Sequence, residues 1–183
     1  FNLHYKEGKL STLTGVDIID PLINIKEDLK KITTVFYLIK LITQVLKDTQ
    51  DPKIYDLFIS TILKINEGFD ETVLCNILEI KLLPFLGVTL CLDGCIRCGS
   101  KKEIVTIDAS YGGLICKNCY RNEQIIDLRV VKLLRMYYYI DIGSIENIKV
   151  DAKLKKIINK FLTDYYDSFT GLYLDKKVLE FKE

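Results

Sequence analysis

Cys95-Ile96-Arg97-Cys98-Gly99 and, further on, Tyr111-Gly112-Gly113-Leu114-Ile115-Cys116-Lys117-Asn118-Cys119 hold two C-x₂-C pairs with seventeen residues between them. Each pair sets two thiols on one turn, and a gap of this length lets the chain fold back to close a tetrahedral shell. Ile104, Val105 and Ile107 read as a strand, Tyr111-Gly112-Gly113 as the turn, and Leu114-Ile115 as the return into the second pair. Gly99 suits the tight backbone that follows a knuckle cysteine. Cys95, Cys98, Cys116 and Cys119 are therefore expected to hold Zn²⁺. Four thiolates leave no open position, so the metal is expected to be structural. Two disulfides or four unliganded thiols are the competing readings. Disulfides need an oxidising compartment, and the first residues lack a signal-peptide pattern. Cys91 could in principle replace a ligand, but it forms no C-x₂-C pair and reads as a core or loop thiol. Cys75 lies in an apolar helical pattern and reads as a small buried hydrophobe.

Outward from this segment the pattern turns helical on both sides. On the N-terminal side, Leu29, Ile32, Phe36, Ile39, Ile42 and Leu46 step by threes and fours, which predicts one buried face of a helix from about Lys26 to Lys47. Asp51-Pro52 starts a second helix that ends near Gly68. Asp70 caps a third, with Val73, Leu74, Ile77 and Leu78, running toward Pro84. On the C-terminal side a fourth helix is expected from Asp127 to about Ile140, where Gly143-Ser144 breaks it. Asp151 caps a fifth with Leu154, Ile157, Ile158, Phe161 and Leu162 on one face. The cysteine segment, at about 91–121, thus sits between helices and is expected to pack on them as a staple. A free finger inserting its own helix into a major groove does not fit this placement.

The first residues differ again. Leu3 and Tyr5, then Leu10 and Leu13, flank Glu7-Gly8 as in a β-hairpin. A lone hairpin is marginal in water, so residues 1–20 read as the last strands of a β-domain, closed by Pro21. The expected fold is mainly α: a helical domain over 21–183 with an inserted four-cysteine zinc ribbon and a short N-terminal hairpin.

The chain has 183 residues, 49% apolar and 28% charged, which is globular composition with ample length for a core. No apolar run reaches a membrane span; Val35–Val45 is interrupted by Lys40, Thr43 and Gln44. A cytoplasmic location is the expectation. The net charge of +1 decides nothing about partners. From Cys95 to Arg135, eight basic residues face four acids, and a four-thiolate zinc site takes back two charges, leaving a modest basic patch. Catalysis has little to build on. His4 is the only histidine, and no Gly-rich phosphate loop is present. No enzymatic activity is expected.

The order of parts resembles the RecO family of bacterial recombination mediators. Leu82-Leu83-Pro84-Phe85-Leu86-Gly87 is similar to the family's helix end before its zinc segment. Cys95-x₂-Cys98-Gly99 and Tyr111-Gly112-Gly113-Leu114-Ile115-Cys116-x₂-Cys119 match its zinc signature, and Asp175-Lys176-Lys177-Val178-Leu179 resembles its C-terminal stretch. Leu3-x-Tyr5, Gly8-x-Leu10 and Leu13 resemble the last hairpin of the family's N-terminal OB-fold, most of which would lie outside residues 1–20. The resemblance implies a DNA repair and recombination protein of the RecF pathway, cytoplasmic and nucleoid-associated. Such a protein binds single-stranded DNA and the acidic-aromatic tail of single-stranded DNA-binding protein. It acts with RecR to load RecA, and it anneals complementary strands. DNA contact would fall on Arg97, Lys101, Lys102, Lys117 and Arg121, with Tyr111 or Tyr120 as a stacking face. The partner's tail would fall on Arg129, Lys132 and Arg135, which step by three along the fourth helix beside Val131, Leu134 and Tyr138. At least one of Tyr137, Tyr138 and Tyr139 is expected in the core, because consecutive helical residues diverge. A zinc-stapled helical adaptor without nucleic-acid contact is the alternative.

Overall fold

The computed structural model describes residues 1–47 and 49–179, leaving out the side chains of residues 177 and 178. Of the expected 21–183 domain, residues 48 and 180–183 lie outside the described residues. In chain order the helices are α1 (Ile23–Lys26), α2 (Leu29–Val45), α3 (Pro52–Asn66), α4 (Glu71–Leu82), α5 (Leu128–Tyr139) and α6 (Ala152–Phe169). The strands are β1 (Asn2–His4), β2 (Thr12–Gly15), β3 (Cys91–Cys95), β4 (Ile104–Asp108) and β5 (Gly113–Cys116).

Every long helix opens on an aspartate whose carboxylate accepts from a backbone N–H of the first turn: Asp28, Asp51, Asp70, Asp127 and Asp151. These caps satisfy N–H groups that have no partner within the helix. Pro52 follows its cap at the first helical position. After α4 the chain tightens into a single 3-10 turn, Leu83–Leu86, and Gly87 ends it at φ +75°, a left-handed value that glycine adopts without strain.

Helix α4 is the axis of the molecule. Val73, Leu74, Cys75, Asn76, Ile77, Leu78, Glu79, Ile80 and Leu82 are all buried, so it is covered on every side. A helix buried all round requires neighbours all round, and α2, α3, α5 and α6 supply them. Each fully buried Leu or Ile contributes about 1.5–3 kcal/mol.

Two expectations about the first long helix are corrected. It does not begin at Lys26: α1 ends there, and Asp28 restarts the helix by accepting from the N–H groups of Lys30 and Lys31 at 2.9 and 3.2 Å. Its buried face is also only partly the one predicted: Ile42 is buried and Ile32 packs against the core as expected, but the rest of the stripe is not. Leu29, Phe36, Ile39 and Leu46 are exposed, Phe36 by 67%, while Tyr37, Leu38, Leu41, Ile42 and Val45 face the core. Both stripes of α2 are apolar, so periodicity alone could not choose between them. Tyr37 decides the outcome by reaching Glu79 on α4 with its hydroxyl, at 2.6 Å.

The hairpin forms as expected, with Leu3 opposite Leu13 on one face and His4 opposite Thr12. Phe1, Leu3, Tyr5 and Leu13 remain exposed, which gives the hairpin an uncovered apolar face. Strand β3 is one that the sequence reading missed. It pairs in parallel with β5, which also pairs antiparallel with β4, giving the order β3-β5-β4. Among the described residues no helix is long and apolar enough to cross a membrane.

Candidate metal centre

Cys95 ends β3, Cys116 ends β5, and Cys98 and Cys119 lie one turn beyond each. The two knuckles are built alike. Gly99 N–H donates to the Cys95 carbonyl at 2.7 Å, and Cys119 and Tyr120 N–H donate to the Cys116 carbonyl at 3.0 and 2.9 Å. All four sulfurs lie within 4.8 Å of one another, and Cys98 Sγ is 3.6 Å from Cys116 Sγ. A tetrahedron with metal–sulfur bonds near 2.3 Å has edges of about 3.8 Å, so the cluster could hold a metal ion. Cys91 sits on β3 opposite Gly113, outside the four-sulfur cluster, and Cys75 is buried in α4.

The electrostatics of the bare thiols favour anionic sulfur at one corner. Burial pushes the Cys95 thiol up, but the backbone N–H groups of Cys116, Arg97 and Cys98 outweigh it and bring it to about 6. Cys119, hydrogen-bonded to Cys98 and partly desolvated, is pushed up to about 12. Sulfurs this close cannot all shed protons without a cation among them.

Close backbone approach accounts for two glycines. A Cβ at Gly113 would stand 2.8 Å from Cys91 Cβ and 2.9 Å from its carbonyl oxygen. One at Gly94 would stand 2.6 Å from the Gly99 carbonyl oxygen. Gly112, at φ +73°, lays its turn against Tyr165 and Phe169 of α6, whose rings stack with centroids 4.7 Å apart. The ribbon is also tied to the helices by polar contacts. Arg135 Nε donates to the Leu92 carbonyl at 2.8 Å, and Tyr165 Oη donates to the Thr89 carbonyl at 3.0 Å. Ile107 and Leu114 belong to the same buried cluster as α4 and α6. The ribbon therefore packs on the helical body, as its placement between helices predicts.

The basic residues around the centre divide into two kinds. Arg97 is turned inward. It donates to the Cys119 carbonyl, pairs with Glu123 at 2.7 Å and stacks its guanidinium 4.4 Å from the Tyr111 ring centroid. It thereby joins the first knuckle to the second, and it occupies one face of Tyr111. Lys101, Lys102, Lys117 and Arg121 are exposed around it. On α5, Arg129 is exposed and pairs with the cap Asp127 at 2.6 Å, holding that carboxyl down at about 2. Lys132 is exposed, while Arg135 is half-buried in its contact to Leu92. Val131 and Leu134, expected beside these cations, are buried in the core. The exposed apolar side chains of α5 are instead Leu128, Met136 and Tyr139. Of the three consecutive tyrosines, Tyr137 is fully buried, Tyr138 half-buried and Tyr139 exposed. His4 is exposed on the hairpin.

Residues 26–177 match the family described as "Recombination protein O C terminal". The DNA repair protein RecO of Listeria monocytogenes serotype 4b is 30% identical over 172 residues, covering 92% of this chain and 68% of that protein. The DNA repair protein RecO of Halalkalibacterium halodurans is 30% identical over 176 residues, covering 94% and 69%. That of Bacillus pumilus is 28% identical over 172 residues, covering 92% and 67%.

Proposed function

The chain belongs to the RecO family, and from that premise we propose that it serves DNA repair as a recombination mediator, without catalytic turnover. In this reading it binds single-stranded DNA and the acidic, Phe-ending tail of single-stranded DNA-binding protein. It acts with RecR in loading RecA, promotes strand annealing, and works in the cytoplasm at the nucleoid. Residues 1–20 are strands of an OB-fold, which accounts for the uncovered apolar face of Leu3 and Leu13. Zn²⁺ is the metal of the four-cysteine centre, held by Cys95, Cys98, Cys116 and Cys119 with no position left for substrate.

The observation that carries the DNA reading is a docked ribbon with Lys101, Lys102, Lys117 and Arg121 exposed on it. A rigid support holds the four cations in fixed relation, so a strand can release counterions against them without ordering the protein first. Arg97 acts from beneath by fixing the knuckles and the Tyr111 ring. The tail's carboxylates fall to Arg129 and Lys132, with Arg135 behind them, and its apolar end falls to Leu128, Met136 and Tyr139.

Fluorescence anisotropy on the full chain tests both contacts. Labelled single-stranded DNA should bind with a steep salt dependence. Arg129→Glu with Lys132→Glu should weaken a tail peptide at least tenfold without lowering the thermal midpoint. Salt-independent or absent DNA binding, together with an unchanged peptide affinity, would leave the zinc-stapled adaptor instead.

A further inference from the structure

The outward face of α6 carries a row of cations that neither the metal centre nor the α5 face uses. Lys153, Lys156 and Lys160 are exposed, opposite the buried row Leu154, Ile158, Phe161, Leu162, Tyr165 and Tyr166. At 3.6 residues per turn they fall within about 60° of arc and climb about 10 Å along the helix. Lys153 stands in the first turn, where a cation opposes the helix dipole, and Lys156 and Lys160 carry the row on to mid-helix. No acidic residue stands in the first turn and no basic one in the last, whereas the exposed Asp164 and Asp167 follow toward the C-terminal end. A cation in the first turn and an anion in the last each weaken a helix, an effect that fades beyond those turns. A row of exposed cations kept on one face, starting where a cation disfavours the helix, points to use of that face.

Compensating contacts are weak among the described residues. Lys153 and Lys156 form no ion pair there, and Lys160 meets Asp164 only at 3.8 Å between two exposed side chains, a pair worth little. Lys155, in the same turn, behaves differently: it turns inward and pairs with Asp70 at 2.7 Å. Of the nearby acids at the helix start, Asp151 accepts from the Lys153 backbone N–H at 2.8 Å, and Asp127 pairs with Arg129 while the Lys153 charge also helps hold its carboxyl down. The three ammonium groups are thus exposed and at most weakly engaged, so an anion can compete for them.

The kind of anion follows from what lies between the lysines. Residues 154 and 158 are buried and 155, 157 and 159 half-buried, so no exposed apolar side chain interrupts the row. An acidic peptide with an aromatic end needs an apolar seat, which α5 has in Leu128, Met136 and Tyr139 and this face lacks. A phosphate backbone needs only spaced cations. We infer that Lys153, Lys156 and Lys160 form a second track for the phosphate backbone of single-stranded nucleic acid, bounded at its far end by Asp164 and Asp167. The inference rests on the proposed DNA-binding role and adds a surface to it.

Labelled oligothymidylate, titrated across salt concentrations, tests it with three proteins: the parent chain, Lys153→Gln/Lys156→Gln/Lys160→Gln, and Lys101→Gln/Lys102→Gln/Lys117→Gln. Each neutralised phosphate contributes about 0.7 to the log–log salt slope for single strands, so the α6 variant should lose about 2 from that slope. Its melting midpoint should be essentially unchanged, because the exposed row makes no strong contact. The charge-keeping Lys153→Arg/Lys156→Arg/Lys160→Arg variant should retain the parent slope, which separates lost charge from lost fold. An unchanged slope in the α6 variant alongside a reduced one in the ribbon variant overturns the track and leaves the DNA-binding role standing. A parent chain without salt-dependent binding overturns both. Loss of tail-peptide binding with the slope intact would make the row a peptide surface, and that too overturns the inference.

Discussion

Glu79 is a fully buried carboxylate on the central helix, and four elements meet at it. Tyr37 Oη of α2 donates to one oxygen at 2.6 Å, and Lys176 Nζ donates to the other at 2.6 Å. The same ammonium reaches Asn76 Oδ1 at 3.2 Å and Asn159 Oδ1 of α6 at 3.5 Å, while Tyr166 Oη donates to the Glu79 carbonyl at 2.6 Å. Burial, with the Glu79 charge added, pushes the Tyr37 phenol well above its ordinary range, so it stays a donor. Lys176 thereby holds the end of the described chain against the bundle. Removing one partner of such a pair leaves a buried charge uncompensated, at about 3–5 kcal/mol. Lys176→Met should cost that much in urea denaturation, and Glu79→Gln added to it should restore part of the loss by removing the stranded charge. A double variant no more stable than the single one would show that the carboxylate charge is not what Lys176 serves. Nothing in the local sequence announced this pair, because its members lie 97 residues apart. The inward role of Arg97, expected at the DNA surface, was hidden in a similar way. Its place inside a knuckle suggested a surface cation, while its inward reach depends on Glu123 and on the Cys119 carbonyl that the return loop delivers.

Among the elements, legibility followed the range of the deciding interaction. Caps act within three residues, so the aspartate starts at Asp51, Asp70, Asp127 and Asp151 and the turn at Gly112-Gly113 could be read directly. Asp28 was overlooked although it stands directly before Leu29, the first residue of the apolar stripe. The exposed and buried faces of α2 could not be told apart, since Tyr37 finds Glu79 on another helix. Strand β3 was hidden because Cys91-Leu92-Asp93-Gly94-Cys95 has neither a β-branched run nor a hairpin partner next to it; it pairs in parallel with a strand beyond β4. That pairing gives Gly113 its role. Where β3 and β5 cross closest, a methyl group would press on Cys91 Cβ and its carbonyl at under 3 Å. Gly113→Ala should destabilise the chain by about 1–3 kcal/mol, the usual range for overpacking, and should weaken metal retention against a competing chelator. Gly68→Ala offers the comparison, because nothing lies within 4 Å of a Cβ there and only the positive φ of +95° is strained. Equal metal retention in the two variants would rule out close strand approach as the support of the centre.

At the scale of the whole molecule the ribbon and the helices share one interior. Ile107 of β4 and Leu114 of β5 are buried in the cluster that includes Leu78, Leu134 and Tyr165. Arg135 and Tyr165 bind ribbon carbonyls, and the Gly112 turn seats on the aromatic stack of α6. A metal at the four cysteines would therefore stabilise more than its own loop. In isolated finger peptides metal binding is folding free energy, and here the folding unit linked to it extends to α5 and α6. Two outcomes of metal removal can be distinguished. If the ribbon were an appendage, chelation would melt it alone and leave the helical melt in place. With a shared core, loss of β4 and β5 packing exposes Leu134 and Tyr165 to water and the helices loosen with it. Each kcal/mol lost moves the midpoint by about 2–4 °C in a chain of this size. Chelation of the zinc-loaded protein should then lower the midpoint of the helical circular-dichroism transition by about 5 °C or more, in a single step. Cys116→Ser should do the same without chelator, whereas Cys75→Ser should leave bound zinc at one equivalent by metal analysis. A helical midpoint unmoved by either treatment would mean that the ribbon is only attached to the bundle, despite the packing of Ile107 and Leu114.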